Sequence, residues 1–394
     1  MIQLSYNAYM VDRSRLPAWL WPRAAYVHIP FCAHHCGYCD FAVVAGQDHR
    51  IDLYLEALAQ EYSSLKEAVP VDTIFVGGGT PTYLEPQQLE RFLTDLGQWL
   101  PLKRGGEFSI ESTPESLMEE KVYLLAQQGV NRVSIGVQSF SDRSLQNLDR
   151  RHSSAQVGKS LELVRRHIGD VSLDLIFGVP GQTLADWEDD LRRALDYGPV
   201  HFSTYGLTYE KGTPLWKRRE KGQIHSVAEE DELRMYERSI DLLTSSGFEH
   251  YEVSNFAKPG HRCRHNETYW ANEAYFGFGL GAAKYIMGTR SLNRRSIDDY
   301  LRKVLAGEEV DYQHEMLLPL ERAQETAAIN LRRIRGINRI RFEEQTGMSI
   351  DELVEERLGV YVQEGLLRDD GQEIFLTRKG LYVADELISR LVWG

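Results

Sequence analysis

Cysteine is scarce in this chain, long apolar runs are missing, and there is no excess of positive charge. Four cysteines among 394 residues cannot supply the disulfide framework of a small secreted protein, and they fit a reducing compartment. No stretch approaches the roughly 20 apolar residues of a membrane-spanning helix, and the first residues lack the basic and then apolar order of a signal peptide. The sequence therefore predicts a cytoplasmic protein.

The charge balance argues against a further class of function. The formal net charge is −13 at pH 7, whereas bulk binding to nucleic acid draws on clustered lysine and arginine. We therefore expect no nucleic acid among the partners.

Three of the four cysteines lie close together, in the segment HIPFCAHHCGYC. Thiolates at such short spacing are the ligands of iron–sulfur clusters. Cys32, Cys36 and Cys39 can hold three corners of a [4Fe–4S] cube and leave the fourth iron open to a small molecule. The alternative is a zinc site with His34 or His35 as fourth ligand, but structural zinc more often uses two separated ligand pairs. The compact triplet favours the cluster.

Short β-rich runs alternate with amphipathic segments along much of the chain. Apolar residues at helical spacing predict helices over 51–65 and 89–100, and Ser226-x-x-Glu229 predicts a capping box. Six β/α repeats indicate a parallel sheet. Because a closed barrel has eight, we expect an α/β fold, an open partial (β/α)6 barrel with its chemistry at the carboxyl ends of the strands. The predicted strands are 25–29, 73–76, 107–111, 132–137, 171–177 and 202–207.

Two features indicate a ligand at that edge of the sheet. The sequence VGGGTPT ends the second predicted strand, and its glycines let the backbone approach a polar head group. A run of glycines alone is more often only a turn. Polar residues also end other strands, namely Glu111, Gln138 and Asp174, and Arg150 follows the fourth strand. Each alone is more often a satisfied structural group, but their recurrence at equivalent strand ends favours a site.

The order of these motifs resembles one family. YVHIPFC with its two further cysteines, GGGTPT, GVQSF, LDLIFGVPGQ and a late HN..YW segment are similar to the HemN/HemW family of radical S-adenosylmethionine (SAM) proteins, from about residue 24 to the end of the chain. The resemblance implies a radical SAM barrel in which Cys32, Cys36 and Cys39 hold a [4Fe–4S] cluster. It also implies SAM contacts from Tyr26, Tyr38, Gly78, Gly79, Thr80, Glu111, Gln138, Arg150, Asp174 and Gly206.

Two departures bring the chain nearer to the heme-chaperone side of this family, HemW, than to oxygen-independent coproporphyrinogen III dehydrogenase. The resemblance to that enzyme would require a further cysteine where this chain has Phe41, and a longer N-terminal extension. The segment His265-Asn-Glu-Thr-Tyr-Trp270 matches the HNxxYW heme-binding motif of the chaperones, and imidazole and flat aromatic rings suit a heme. The resemblance implies heme binding by His265, Asn266, Tyr269 and Trp270.

From the residues alone, a hydrogen-bonded loop histidine is the preferred interpretation of His265, and core packing is an equal alternative for Tyr269 and Trp270. Cys263, two residues earlier, is interpreted as an inert buried thiol.

With the resemblance, the expected function is a heme chaperone that binds a [4Fe–4S] cluster, SAM and heme and delivers heme to acceptor hemoproteins, respiratory ones included. The alternative is the dehydrogenase, acting by a 5′-deoxyadenosyl radical. An electron donor such as flavodoxin or ferredoxin is implied, and a homodimer and a peripheral membrane association stay open.

The sequence divides into four parts: a short extension (1–23), the SAM barrel (24–250), a connecting region with the heme motif (251–310) and a C-terminal winged-helix-like α+β domain (311–394). In the last part, Asp370-Gly371 predicts a hairpin turn and Thr377 a helix N-cap. The helix that would read DNA in such a domain, 349–364, is acidic and would be repelled by phosphates. We interpret the domain as a lid, a docking surface or a structural buttress.

Overall fold

A computed structural model describes residues 15–394, apart from the side chains of Glu355 and Glu356. Residues 1–14 of the predicted extension lie outside this described part. Within residues 15–394, no helix is both long and apolar enough to cross a lipid bilayer.

Strands and helices alternate over the first half of the described chain. The strands are β1 (Ala24–Ile29), β2 (Phe31–Cys32), β3 (Val44–Ala45), β4 (Val71–Gly78), β5 (Leu102–Ser112), β6 (Arg132–Gln138), β7 (Asp170–Phe177), β8 (His201–Gly206), β9 (Glu249–His250), β10 (Asn255–Ala257), β11 (Phe276–Phe278), β12 (Ala283–Ile286), β13 (Thr289–Asn293), β14 (Asp311–Met316), β15 (Ile337–Asn338), β16 (Leu367–Asp369) and β17 (Glu373–Leu376). The helices are α1 (Ile51–Tyr62), α2 (Pro86–Trp99), α3 (Glu119–Gln127), α4 (Asp142–Asn147), α5 (Ser154–Arg165), α6 (Leu184–Asp196), α7 (Pro214–Glu220), α8 (Glu229–Ser245), α9 (Arg264–Trp270), α10 (Ile297–Leu305), α11 (Pro319–Leu331), α12 (Arg339–Thr346), α13 (Ile350–Gln363), α14 (Arg378–Leu381) and α15 (Ala384–Trp393).

The main sheet has nine strands in the order β11-β1-β4-β5-β6-β7-β8-β10-β9. The run from β1 through β4, β5, β6 and β7 to β8 is parallel throughout, which confirms the six predicted strands and their open, partial barrel. β11 adds a parallel strand beside β1, and β10 adds an antiparallel strand beside β8. Both added strands come from the predicted connecting region 251–310, so this region extends the barrel sheet at both edges.

Side chains along the barrel strands alternate between two environments, as the period of a strand requires. Val27, Ile74 and Ile110 belong to the main apolar core together with residues of the surrounding helices. The intervening positions carry polar side chains that are also buried, among them Thr73 and Ser109. The barrel interior is therefore polar, and the apolar core lies between sheet and helices.

The two predicted helices form, and one predicted cap does not. The segment 51–65 is α1 followed by a short 3-10 turn. The segment 89–100 covers most of α2, but this helix begins earlier, at Pro86, with Glu85 as N-cap and a capping box formed by Glu85 and Gln88. The predicted capping box at Ser226 is wrong. Helix α8 begins at Glu229 with Ala228 as N-cap and without a side-chain cap.

The C-terminal module has its own apolar core, built from α11 to α15 and a three-stranded sheet in the order β15-β17-β16. The predicted hairpin around Asp370-Gly371 is β16 and β17, and the Thr377 hydroxyl accepts the Gly380 N–H at 3.1 Å as the predicted N-cap. Strand β14, at the start of the predicted C-terminal domain, pairs with β13 of the preceding region. The first helix of the C-terminal module, α11, begins at Pro319.

Candidate functional site

The three-cysteine loop follows β1, at the carboxyl edge of the barrel where the sequence predicts it. Short parallel pairing of β2 with β3 ties the two ends of the loop together. Inside the loop, the Cys39 N–H donates to the Cys36 carbonyl at 3.3 Å. Gly37 is held between two neighbours, because its N–H donates to the Leu148 carbonyl and its carbonyl accepts the Leu215 N–H. The loop is thus fixed by contacts from three separate parts of the chain.

The sulfur atoms lie in an environment that suits thiolate ligands of a metal cluster. Arg150 donates to Cys36 Sγ at 3.4 Å and to the Gly136 carbonyl at 2.8 Å, while its Nε has no partner in the described structure. The Thr80 hydroxyl lies 3.7 Å from Cys32 Sγ. Burial raises the pKa of Cys32 to about 12 and that of Cys39 to about 11, so these thiols keep their protons until a metal replaces them.

The loop as folded holds no ready-made site for a single zinc ion. The three Sγ atoms do not all lie within 4.8 Å of one another, whereas one tetrahedral zinc with Zn–S bonds of about 2.3 Å holds its thiolates within about 4 Å. Of the histidines of the zinc alternative, His34 has its Nε2 at 2.5 Å from the Asp149 carbonyl and 3.8 Å from Cys36 Sγ, and His35 has its Nε2 at 3.0 Å from the Cys39 carbonyl. The geometry fits the larger [4Fe–4S] cube.

A cavity of about 630 Å³ opens beside the cysteine loop at the carboxyl ends of the strands. It brings the three cysteines together with nine of the ten residues predicted to contact SAM. Tyr26 is the exception; it does not line the cavity, and its hydroxyl contacts Nδ1 of His28 at 3.0 Å. The predicted residues that line the cavity are Cys32, Cys36, Tyr38, Cys39, Gly78, Gly79, Thr80, Glu111, Gln138, Arg150, Asp174 and Gly206.

The glycine turn lines the cavity, but the missing side chains make room for the protein itself. A Cβ on Gly77 would meet the Glu111 carboxylate, and one on Gly79 would lie 2.6 Å from the Pro30 carbonyl oxygen. Gly78 has a φ of +110°, and a Cβ there would enter the His28 ring. The close neighbours of the glycine turn are therefore protein atoms, above all the backbone just before the cysteine loop, and the approach of a ligand to the turn stays a prediction.

Two carboxylates inside the cavity are poor in cationic partners. Glu111 accepts the Gly78 N–H at 2.9 Å, and burial nevertheless raises the pKa of Glu111 to about 7. Asp174 accepts from the Ser134 hydroxyl at 3.0 Å, and burial raises the pKa of Asp174 to about 6 against the hydrogen bonds from Ser203 and Ser134. A ligand with an ammonium group and hydroxyl groups would supply the missing donors. These residues fit SAM bound beside a cluster.

Replacing Glu111 by glutamine should remove one pH effect on the stability of the fold. The folded pKa of about 7 exceeds the ordinary value of 4.5, so the unfolded chain releases this proton first and the folded state loses stability as pH rises from about 4.5 to 7. Without SAM, Glu111→Gln should therefore be more stable than the parent above pH 7, by at most about 3 kcal/mol, and equal to it near pH 4.5. Thermal unfolding at pH 5 and pH 8 measures the difference.

The same variant should bind SAM more weakly, because an amide cannot attract an ammonium group as a carboxylate does. Glu120→Gln, at an exposed position of α3, is the control and should change neither property. Parallel stability–pH curves for Glu111→Gln and the parent would contradict the interpretation of Glu111 as a buried, unpaired carboxylate.

The predicted heme motif lies at the other end of the barrel. It forms α9, which is anchored at the amino ends of the strands, where Glu107 accepts the backbone N–H groups of Arg264 and His265 at 3.0 and 3.1 Å. The His265 side chain is fully buried: Nδ1 contacts the Thr73 hydroxyl at 2.9 Å and Nε2 contacts the Tyr269 hydroxyl at 2.8 Å. Burial lowers the pKa of His265 to about 3, so the imidazole is neutral.

The rest of the motif joins the barrel to the C-terminal module. Trp270 lies under the Arg332 guanidinium, 5.6 Å from the ring centroid, and Gln345 donates to the carbonyls of Ala271 and Asn272 that follow α9. Asn266 is half-buried. In this arrangement no nitrogen of His265 is available to a metal, and heme binding by the motif stays a prediction.

The site also contains two residues that the sequence analysis did not identify, His28 and Tyr205. His28 contacts Tyr26 through Nδ1 and the Ala42 carbonyl through Nε2 at 2.9 Å, which links β1 to the far end of the cysteine loop. Its signal in the sequence is its place four residues before Cys32. Tyr205, at the end of β8, also lines the cavity. Cys263 lies away from it, with Sγ 3.5 Å from Glu107.

Comparison with known proteins agrees with this geometry. Residues 26–194 match the model of the radical SAM superfamily, and residues 317–383 match that of the HemN C-terminal domain. The chain is 39% identical to the heme chaperone HemW of Bacillus subtilis, over 93% of this chain and 98% of that protein. It is 36% identical to the heme chaperone HemW of Lactococcus lactis subsp. lactis, over 94% and 97% of the two chains.

A solved structure shares the fold. Coproporphyrinogen III oxidase (HemN) from Escherichia coli, described as a radical SAM enzyme, superposes with a TM-score of 0.83 over 96% of this chain and 92% of that chain, at 22% identity. At this level of identity the likeness concerns the fold. It agrees with the open parallel barrel followed by a separate C-terminal module.

Proposed function

The chain belongs to the HemW family of radical SAM heme chaperones, and on that basis we propose that it binds a [4Fe–4S] cluster, SAM and heme, and passes the heme to acceptor hemoproteins. The observation that carries this proposal is the match to chaperones over more than nine tenths of both chains. The lined cavity beside three cysteines supports the cofactor part of it.

The roles of the cavity residues follow from their chemistry. Cys32, Cys36 and Cys39 would hold the cluster, and Arg150 would offset the negative charge of its thiolates. Glu111 and Asp174 would accept hydrogen bonds from SAM. When bound, the cluster supplies an open iron to which SAM can coordinate and through which an electron can pass.

Heme binding by His265 requires a movement of α9. The imidazole already uses both ring nitrogens, so an iron–imidazole bond would replace the contact to Tyr269 or to Thr73. We therefore propose that the chaperone takes up heme in a state in which α9 has left the amino end of the barrel. Tyr269 and Trp270, released together with the imidazole, would then offer flat faces to the porphyrin.

Alanine at His265 should weaken hemin binding by at least about tenfold, because a methyl group cannot replace an axial ligand. Titration of the purified protein with hemin, followed by the Soret band, measures the affinity and the ligation. His201→Ala is a matched control: this histidine is also buried in the barrel, with its nitrogens on Ser172 at 2.7 Å and Tyr251 at 2.8 Å. It should bind hemin like the parent.

Hydrogen exchange tests the movement of α9 directly. Hemin should accelerate amide exchange across Arg264–Trp270 in the parent and should not do so in His265→Ala. Equal loss of hemin affinity in His201→Ala and His265→Ala would show that both changes weaken binding by destabilising the barrel. The assignment of His265 as a heme ligand would then be wrong.

The alternative hypothesis, coproporphyrinogen III dehydrogenase activity, makes a different prediction for the same preparation. With coproporphyrinogen III, SAM and a reductant under anaerobic conditions, we expect no protoporphyrinogen. Product formation, combined with hemin binding no better than that of an unrelated protein, would replace the chaperone by the enzyme. Phe41, which is 68% exposed beside the cavity where the enzyme would have a cysteine, supports the chaperone.

We further propose a cytoplasmic location and a one-electron donor of the flavodoxin or ferredoxin type. The acceptor hemoproteins, respiratory ones included, the homodimer and the peripheral membrane association stay predictions. Heme transfer to an apo-hemoprotein in the presence and absence of membranes tests them together.

A further inference from the structure

One short segment runs against the acidic character of the chain. The formal net charge of the whole chain is −13, yet residues 211–221, which comprise α7 and its two flanks, contain five basic residues and one acidic residue. We call residues 211–221 the basic segment. Its charged residues are Lys211, Lys217, Arg218, Arg219, Glu220 and Lys221.

The lysines of the basic segment are not used by the fold. Arg218 pairs with Asp149 at 3.4 Å, and Arg219 stacks over the Tyr209 ring. The side chains of Lys211, Lys217 and Lys221 are exposed, and among the described residues they have no hydrogen-bond or ion-pair partner. Lys159 on α5 is the one other lysine of the described chain in that condition. Three of the four unpartnered lysines of the described chain therefore lie within eleven residues, whereas exposed arginines without such a partner, for example Arg91 and Arg104, lie on other elements.

The basic segment packs directly on the cysteine loop. The Leu215 N–H donates to the Gly37 carbonyl at 2.8 Å, and a Cβ on Gly37 would collide with the Leu215 side chain. Leu215 belongs to a small apolar core with Leu148 and Ile176, against which Tyr38 of the loop also packs. Gly37 is the neighbour of Cys36, so the basic segment contacts the residue next to an expected cluster ligand.

We propose that the basic segment is the docking surface for an acidic one-electron carrier that reduces the cluster. The inference rests on the proposed function, because it assumes the cluster at Cys32, Cys36 and Cys39. The carrier would be a small acidic protein with a reduced flavin or iron–sulfur centre. One electron leaves that centre, which is oxidised by one electron, and enters the cluster, which is reduced by one electron; no bond is made or broken.

Charge complementarity is the physical reason for this choice of partner. Positive charges around a site attract a negatively charged protein and raise the rate of encounter, although the rest of the chain would repel it. A nucleic acid is a weaker candidate for the partner, because three lysines can make only a few contacts to its phosphates while the net charge of the chain is −13. An anionic membrane surface is the other alternative, and the experiment below separates it.

The test uses Lys217→Glu with Lys159→Glu as the matched control, because both change an unpaired lysine by the same charge. The probe is an acidic flavodoxin, titrated against the cluster-loaded protein at low ionic strength. We expect Lys217→Glu to weaken binding about tenfold and Lys159→Glu to leave it within about twofold, with the parent affinity falling as salt is added. Cluster reduction by flavodoxin hydroquinone should slow in parallel, whereas reduction by dithionite should be equal in all three proteins.

The outcomes separate the two proposals. Equal binding and equal flavodoxin-driven reduction in both variants would overturn the docking surface while leaving the chaperone function standing. Absence of a cluster in the reconstituted parent would instead overturn the proposed function, and the docking inference with it. Lysine-dependent binding to phosphatidylglycerol vesicles without any to flavodoxin would replace the carrier by a membrane and also overturn the inference.

Discussion

Alanine at Cys32, Cys36 or Cys39 is expected to abolish the iron–sulfur cluster, whereas alanine at Cys263 should leave it intact. The first three cysteines lie together at the edge of one cavity, and Cys263 is buried against Glu107 outside it. A cube held by three thiolates has no fourth protein ligand to replace a lost one. After anaerobic reconstitution, the parent and Cys263→Ala should contain about four irons per chain, and the other three variants almost none.

Iron analysis and the visible absorption spectrum measure this result, and thermal unfolding confirms that each variant is folded. A colourless protein that holds a single zinc ion through the loop would show the cluster assignment to be wrong. Loss of iron from Cys263→Ala to the same extent as from Cys36→Ala would contradict the three-thiolate site.

Valine at Gly79 is expected to abolish SAM binding and to disturb the cluster as well. A Cβ there would lie 2.6 Å from the Pro30 carbonyl oxygen and 2.8 Å from that of Phe31. Both atoms belong to backbone immediately before Cys32, so the loop must shift as a whole. In the parent, SAM should alter the electron paramagnetic resonance spectrum of the reduced cluster, and in Gly79→Val this change should be absent.

Gly97→Val is the matched control, because Gly97 is exposed on α2 and a Cβ there would meet no atom within 4 Å. It should leave helix stability unchanged or slightly raised, because valine has a higher helix propensity than glycine, and it should leave both cofactors bound. A normal SAM response in Gly79→Val would show that the glycine turn tolerates a side chain and has no part in the site.

The sequence predicts the carboxyl edge of the barrel well because the signals there are local. A parallel strand and the turn after it are encoded within about ten residues, and all such turns meet at one edge of the sheet. Glu111, Gln138 and Asp174 could therefore be assigned to one cavity without knowledge of any contact between them. Tyr26 shares this strand pattern, but its hydroxyl is taken by His28, a contact that the pattern does not reveal.

Local patterns miss two features of the fold. Ser226 and Glu229 have the spacing of a capping box, yet α8 begins at Glu229 with Ala228 as N-cap and without a side-chain cap. The region 251–310 has the composition of a connection, yet β10 and β11 find partners at opposite edges of the sheet. Short strands of three residues are specified by the edge that receives them more than by their own sequence.

The sequence by itself indicated the cofactor chemistry of this protein. The count and spacing of the thiolates predict a cluster, and the glycine turn and the polar strand ends predict a polar ligand beside it, whereas SAM as that ligand follows from the resemblance to the radical SAM family. Only the tertiary structure decided that His265 is buried with both nitrogens bonded, and that the basic segment packs on the cysteine loop. The partners of His265 are Thr73, 192 residues away, and Tyr269 on its own helix. Burial and pairing across such distances depend on how the whole chain closes around its core, and no local pattern encodes that closure.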